Sequence, residues 1–126
     1  MSHSYRDLVV WQEGKALAVQ VYTVSEQFPK CEIYGLTSQV RRAAISVVSN
    51  IAEGQGRLTK GEFSQFLGHS RGSLLELLTQ LEIAAELQYL SASDFQALEA
   101  KASNVLRLLN GLLGSIRAQS KAATAT

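Results

Sequence analysis

A single proline, Pro29, interrupts the 126-residue chain. Proline breaks helices because its ring clashes with the preceding turn and because it lacks a backbone N–H. A chain almost free of proline can therefore form long, unbroken helices. A few glycine and polar clusters divide the sequence into four segments, and the length indicates one domain with a core of its own.

Each segment repeats small or apolar residues at alternating steps of three and four, the spacing that keeps them on one face of a helix. We call each such set a seam. The seams are Val10, Gly14, Leu17, Val21, Val24 and Phe28; Leu36, Val40, Ala44, Val47 and Ile51; Phe63, Leu67, Ser70, Leu74, Leu77, Leu81 and Ala84; and Phe95, Leu98, Ala102, Val105, Leu109, Leu112 and Ile116.

The seams predict helices over approximately residues 7–28, 35–54, 60–89 and 93–118, followed by a flexible tail over 119–126. The pattern Thr59-Lys60-Gly61-Glu62 predicts a capping box at the start of the third helix. Four helices with short connections pack best at small crossing angles. We therefore predict an all-α, up-down-up-down four-helix bundle, with residues 1–126 forming one domain.

The third and fourth segments carry more apolar residues than their seams need. A third apolar position per heptad is common in bundles and accounts for part of this surplus. The remainder exceeds what a small monomer usually exposes and favours burial between subunits of a homo-oligomer. The predicted interface consists of Phe66, Leu75, Leu78, Leu106, Leu108 and Leu113.

One motif invites an enzymatic interpretation. Residues 68–72, Gly-His-Ser-Arg-Gly, match the G-x-S-x-G turn that presents the nucleophile of α/β-hydrolases. The flanking pattern is helical, however, whereas that motif needs a strand followed by a helix. Ser70 is then a small seam residue, and we expect Gly68 and Gly72 to let neighbouring helices approach closely.

Other chemical signals are equally sparse. One Cys and two His exclude a disulfide framework and a thiolate zinc site, and no Glu-x-x-His pair offers a di-iron site. The segment 54–61 lacks the order of a phosphate loop, although Arg57 and Lys60 leave anion binding at a helix start open. We predict no enzymatic activity, no metal and no cofactor. Without a long apolar run or a signal-peptide pattern, we expect a cytoplasmic protein with no membrane partner.

Charge is strongly divided along the chain, although the net value is only +1. Residues 72–100 contain five acidic and no basic side chains, whereas residues 101–126 contain four basic and no acidic ones. The middle segment, residues 41–71, contains five basic and two acidic side chains. Two interpretations stay open: the basic residues of the middle segment contact nucleic-acid phosphates, or they pair with the acidic stretch within or between subunits. The candidate phosphate contacts are Arg41, Arg42, Arg57, Lys60 and Arg71; the acidic stretch is Glu76, Glu82, Glu86, Asp94 and Glu99.

Several separated motifs, in order, resemble the 23S rRNA-intervening-sequence protein family, also called the four-helix-bundle or S23 ribosomal protein family. They are YRDLVVWQ (5–12), FP (28–29), YGLTSQVRRAAIS (34–46), NIAEGQGR (50–57), EF (62–63), GSLLE (72–76) and TQL (79–81). The resemblance covers roughly residues 5–90. Val48 departs from it, since many members have proline there, and helix two should continue with less kinking.

The resemblance implies a bacterial, cytosolic four-helix bundle that assembles into a ring, typically a homopentamer. A related branch, the accessory variability determinant of diversity-generating retroelements, binds nucleic acid and a reverse transcriptase. For this chain, nucleic-acid binding would rest on the five basic residues named above. Two hypotheses follow: a non-catalytic scaffold or binding module for RNA, DNA or a ribonucleoprotein, or a purely structural oligomer that binds no nucleic acid.

Overall fold

Four α-helices and no strand make up the regular structure of residues 4–125, the part of the chain that a computed structural model describes, with side chains through Gln119. The helices are α1 (Val9–Ser25), α2 (Leu36–Gln55), α3 (Lys60–Glu86) and α4 (Ala92–Ala125). Short 3-10 turns at Tyr5–Asp7 and Lys30–Glu32 precede α1 and α2. Within these residues no helix combines the length and apolar character that crossing a membrane requires.

Each helix packs against its two neighbours around the bundle, in the cyclic order α1, α2, α3, α4. Residues 39 and 46 of α2 hydrogen-bond residues 80 and 73 of α3, respectively, as antiparallel helices require. The predicted bundle topology is confirmed. The seams form its core: every seam residue is buried except four, which are half-buried. Three of these lie in the first turns of helices and one in the interior of α4, namely Leu36, Phe63, Phe95 and Leu112.

Helices α2 and α3 make the most extensive contact, and a glycine allows it. A Cβ atom on Gly54 would stand 2.8 Å from Cβ of Phe66 and 3.0 Å from Cδ1 of Phe63. Further along, the buried Ser70 hydroxyl donates a 2.7 Å hydrogen bond to the carbonyl of Val47. Because Gly54 has no side chain to hold the helices apart and Ser70 bonds the backbone of α2, the backbones of α2 and α3 lie close together.

The glycines of the G-x-S-x-G motif play no such part, so that expectation was wrong. A Cβ atom on Gly68 or Gly72 would meet no atom within 4 Å. Both residues are exposed, because they lie on the side of α3 that faces away from the core. Ser70 is the only member of this trio that belongs to the seam, as its spacing predicts.

Helix boundaries agree with the prediction within one residue at both ends of α2 and at the starts of α3 and α4, and differ by two residues or more at the other ends. Helix α1 ends at Ser25 rather than residue 28, because the chain tightens into a turn before Pro29, which disfavours helical geometry in the preceding residue. Helix α2 continues through Val48 without interruption, as its lack of proline predicts.

Helix α3 ends at Glu86, three residues before the predicted end, and a left-handed residue follows two positions later. Gln88 has φ 64°, and the N–H groups of Gln88 and Tyr89 bond the carbonyls of Ala85 and Ala84. These two bonds form a Schellman motif, which glycine normally closes. Glutamine is not typical of this position, so the sequence did not predict where α3 ends.

Side-chain hydroxyls cap the first turns of α3 and α4. The predicted Thr59 cap is confirmed, but the Glu62 carboxylate bonds the Thr59 hydroxyl and not its backbone N–H, so the predicted capping box is only half formed. The Thr59 hydroxyl accepts a bond from the N–H of Glu62 at 3.1 Å and donates to the Glu62 carboxylate, also at 3.1 Å. The Ser91 hydroxyl accepts from the N–H of Asp94. Helix α4 then runs to Ala125, beyond the predicted end at 118, because its alanine-rich last turns have high helix propensity. The predicted flexibility of residues 119–126 stays a prediction.

The Glu32 side chain joins the start of α2 to the connection between α3 and α4 at one end of the bundle. Its Oε1 accepts the N–H of Leu36 at 3.0 Å in the first turn of α2, and its Oε2 accepts the hydroxyl of Tyr89 at 3.0 Å. A Cβ on Gly35 would lie 2.5 Å from Oε1, so a larger residue there would displace the carboxylate from this position. The bond from Leu36, and then the bond from Tyr89, lower the pKa of Glu32, whereas the bond to Glu32 raises the pKa of Tyr89.

We expect Gly54→Ala to lower the free energy of unfolding by about 1–3 kcal/mol, because the added methyl group forces apart two well-packed helices. Urea denaturation followed by circular dichroism measures the change. The matched control is Gly68→Ala. Gly68 lies on α3, one of the same two helices, but open space surrounds it. That substitution should raise stability by up to about 1 kcal/mol through helix propensity. Equal effects at the two positions would contradict the close approach at Gly54.

Glu32 should also make stability depend on pH. A carboxyl group whose pKa is lower in the folded state stabilises the fold above its unfolded pKa, near 4.5, and that contribution is lost as pH falls through the folded value. We expect Glu32→Gln to lower the melting temperature at neutral pH and to flatten its decline below about pH 4.5. Thermal denaturation across this range tests the expectation. Glu26→Gln, an exposed carboxylate nearby in sequence, is the control and should leave the pH profile unchanged.

Candidate nucleic-acid interface

The antiparallel arrangement of α3 and α4 brings two basic parts of the chain together at one end of the bundle. Lys60 and Arg117 line one groove, of about 570 Å³, between the first turn of α3 and the late turns of α4. About three turns further along α3, Arg71 donates through Nε to Oδ1 of Asn110 on α4 at 2.9 Å. Arg107 lies one turn before Asn110. We call Lys60, Arg71, Arg107 and Arg117 the basic face.

Neutral amides hold three of these four cations. Besides the bond between Arg71 and Asn110, Nζ of Lys60 donates to Oε1 of Gln119 at 2.6 Å, and Nη2 of Arg107 donates to Oδ1 of Asn104 at 2.7 Å. An amide oxygen orients a cation without cancelling its charge. All four basic side chains are exposed, so the basic face presents charge that is positioned and available to phosphate groups.

The structure divides the five predicted phosphate contacts among separate places. Lys60 and Arg71 belong to the basic face, and Arg57 lies in the connection before it, 3.3 Å from the carboxylate of Glu53. Arg42 is exposed near the start of α2. Since α2 has 20 residues, which corresponds to about 30 Å, Arg42 and Arg57 stand at opposite ends of the bundle.

Arg41 is occupied by contacts within the chain. Its Nε donates to the Ser25 hydroxyl at 2.8 Å, its Nη2 donates to the Tyr22 carbonyl at 3.3 Å, and its guanidinium lies 4.8 Å from the centre of the Tyr22 ring. These contacts attach the beginning of α2 to the end of α1. Sequence reasoning missed Arg107 and Arg117, because their proximity to Lys60 and Arg71 follows from helix pairing rather than from sequence distance.

Glu53 and Glu62 lie at the basic end, but the five residues of the acidic stretch lie toward the opposite end of the bundle. The second half of α3 and the first turns of α4 meet there, and both belong to the acidic stretch. Among the described side chains, the bond between Arg57 and Glu53 is the only ion pair within 4.0 Å. Pairing of the basic middle segment with the acidic stretch inside one subunit, one of the two open interpretations, is therefore absent from residues 4–119. Positive and negative charges are instead separated along the bundle axis.

The six residues predicted for an oligomer interface have different environments. Leu113 is buried in the core of the subunit, so its assignment to an interface is corrected: it lies beside the seam position Leu112 and turns inward. Leu78, Leu106 and Leu108 are half-buried and pack against the same core. Phe66 is half-buried against Gly54 and lies under the Arg57 guanidinium. Only Leu75, at 40% exposure, is largely open.

Other large apolar side chains are more exposed than these, and several lie between α1 and α2. Tyr22 and Ile45 line two adjoining grooves of about 340 and 440 Å³ on this face. Val19 lines the first groove and Ile33 the second. The sequence prediction overlooked this face because it sought surplus apolar residues in the third and fourth helices, whereas here ordinary off-seam residues converge from two helices and a turn.

A more polar groove of about 480 Å³ lies between α2 and α3. The hydroxyls of Ser46 and Ser73 are 2.7 Å apart, and Nδ2 of Asn50 donates to the carbonyl and hydroxyl of Ser46. The bond between Ser46 and Ser73 joins the two helices, and the two bonds from Asn50 lie within α2. Among the described residues, no group of three or more His, Cys, Asp or Glu side chains is placed to hold a metal ion.

Comparison with known proteins places the fold and the sequence in the same group. A solved structure from Bacteroides thetaiotaomicron VPI-5482, described as a protein of unknown function from the S23 ribosomal protein family, superposes with a TM-score of 0.78. The two chains are 17% identical over 83% of this chain and 98% of the other. No curated protein matches the sequence. The profile of the 23S rRNA-intervening sequence protein family matches residues 6–111, and the chain therefore belongs to that family.

Proposed function

We propose that this protein is a non-catalytic, self-associating bundle of the bacterial cytoplasm that binds nucleic acid, alone or within a ribonucleoprotein, through its basic face. The observation that carries the proposal is the convergence of Lys60, Arg71, Arg107 and Arg117, three of them held by neutral amides. Phosphate contacts of this kind supply affinity that does not depend on base sequence. Arg41 and Arg42 lie at the other end of α2 and are left out of this surface.

A non-catalytic role agrees with how the reactive groups are used. The Ser70 hydroxyl is buried and bonded to a backbone carbonyl, so it supports helix packing. Glu32 and Tyr89, the described residues with a shifted pKa, bond each other and a helix start. Self-association is part of the proposal, and the family resemblance implies a pentameric ring.

Binding to RNA should weaken steeply as salt concentration rises. Four phosphate contacts to a single strand predict a slope of about −3 for log K against log salt. We expect Arg71→Gln combined with Arg107→Gln to reduce the slope by about 1.4, since each lost contact removes about 0.7. Fluorescence anisotropy with a labelled RNA of about 20 nucleotides measures both values. Lys30→Gln, which removes an exposed cation elsewhere, should leave the slope unchanged.

A second pair of variants tests charge without removing any cation. Gln119→Glu replaces the neutral acceptor of Lys60 with a carboxylate, and the resulting ion pair should lower the slope by about 0.7. Gln96→Glu makes the same change at an exposed position near the other end of α4 and should have no such effect. Equal binding by wild type, Gln119→Glu and the double arginine variant would refute the basic face.

A purely structural oligomer is the second candidate, and the exposed apolar face between α1 and α2 favours it. In this case the acidic end and the basic side chains of neighbouring subunits attract one another. The candidate predicts an assembly that dissociates as salt rises and purifies without nucleic acid. The ratio of absorbance at 260 and 280 nm, measured on the protein from its own host, separates it from the leading proposal.

A further inference from the structure

Two exposed apolar surfaces lie on different sides of the subunit. The first, which we call the α1–α2 patch, consists of Val19, Tyr22, Ile33 and Ile45, with exposures between 42% and 59%. Tyr22 and Ile45 connect its two grooves, so the patch is continuous. Surfaces of this kind on a small soluble domain usually mark an interaction site.

The second surface, which we call the α3 row, consists of Leu75, Ile83 and Leu87, with exposures between 40% and 51%. With Thr79 these residues follow a spacing of four, which forms a ridge along a helix. The ridge faces away from the core, whereas the α1–α2 patch lies across the bundle on other helices. A ridge and a groove are complementary shapes, and helices commonly pack in this way.

Basic side chains outnumber acidic ones around the α1–α2 patch, whose grooves are lined by Lys15, Arg41 and Arg42 and by Glu26, whereas carboxylates border the α3 row. Arg42, which is exposed and has no described partner, lines one groove of the α1–α2 patch together with Arg41. Glu82 and Glu86 are exposed next to the α3 row, and no described cation pairs with either. Complementary charges at the rim of an apolar contact select the partner and its orientation.

Both surfaces also occupy the same level along the bundle axis. The bond between Ser46 and Ser73 places Ile45 at the level of Leu75, and the bond between Glu32 and Tyr89 places Ile33 near the level of Leu87. A second copy placed alongside, with its axis pointing the same way, therefore brings the α3 row of one subunit to the α1–α2 patch of the next.

We infer that the α1–α2 patch of each subunit receives the α3 row of a second copy of this chain, with Arg42 facing the carboxylate of Glu82. The inference rests on the self-association proposed above and adds the surfaces that produce it. Because the two surfaces differ, the contact is heterologous, and repetition closes a ring or extends a fibre. Parallel axes place the basic faces of all subunits at one end of the assembly, where they act together on one nucleic-acid strand.

Two variants, each blocking one surface, test the contact. Ile45→Glu leaves the α3 row intact, and Ile83→Glu leaves the α1–α2 patch intact. Each should reduce the mass found by sedimentation velocity at micromolar concentration to that of the 13.7 kDa monomer. The control is Leu58→Glu, which places the same charge at a 98% exposed leucine outside both surfaces and should keep the wild-type mass. Circular dichroism confirms that each variant retains its helices.

Mixing the two variants distinguishes a heterologous contact from a symmetric one. The mixture has one intact patch and one intact row, so it should form a one-to-one dimer that grows no further. A second pair uses charge: Arg42→Glu and Glu82→Arg should each weaken assembly, and the double variant should restore it at least partly.

Each result has one meaning. A monomeric wild type overturns both the proposed self-association and this inference. Wild-type mass for Ile45→Glu or Ile83→Glu, or a mixture that stays monomeric, overturns the inferred surfaces and leaves self-association standing. Unchanged RNA binding by the basic-face variants, with an unchanged mass, overturns the proposed nucleic-acid surface and leaves this inference standing, so the two failures are distinguishable.

Discussion

Helices α2 and α3 meet where Gly54 leaves no space for a larger side chain, and the register of this contact determines the position of every surface on the bundle. Once Gly54 faces Phe63 and Phe66, Val47 lies opposite Ser70 and Ser46 opposite Ser73. Neighbouring helices then follow from short connections and buried seams. A shift of one turn in this pair would move the basic residues of α3 away from their partners on α4.

Antiparallel pairing also converts a division of charge in the sequence into a division in space. The first half of α3, at the end of the basic segment 41–71, lies beside the basic segment after residue 100, and the acidic stretch between them turns back at the other end. Because amides rather than carboxylates hold Lys60, Arg71 and Arg107, the basic end keeps its charge. A net charge of +1 therefore describes neither end of the molecule.

Much of the fold follows from local rules that a single sequence contains. The seam spacing of three and four predicts the buried face of all four helices, and the Thr59 cap marks the start of α3 correctly. Boundaries are lost where the local signal is weak: Gln88 takes a left-handed conformation without being glycine, and the last turns of α4 contain no large apolar residue that would suggest a helix.

The candidate site was less predictable, because it depends on which side chains meet across helices. Lys60 and Arg71 were found among the basic residues, but their neighbours Arg107 and Arg117 lie more than 35 residues away in sequence. The exposure of an apolar residue depends on its angle around the helix: Leu113 turns inward, whereas Leu75 turns outward. Glu32 and Tyr89 bond each other although they are 57 residues apart, and no sequence motif predicts this contact.

The tight contact at Gly54 has a consequence for how the chain folds. Helices α2 and α3 are joined by only residues 56–59 and share the largest interface, so they form a hairpin whose contacts are close in sequence. Closing so short a loop costs little chain entropy, and local contacts favour rapid folding. We therefore expect this hairpin to form early, with α1 and α4 docking onto it from the two ends of the chain. In such an order, the helices that carry the two halves of the basic face come together only in the last steps, so the surface for nucleic acid exists only once the bundle is complete.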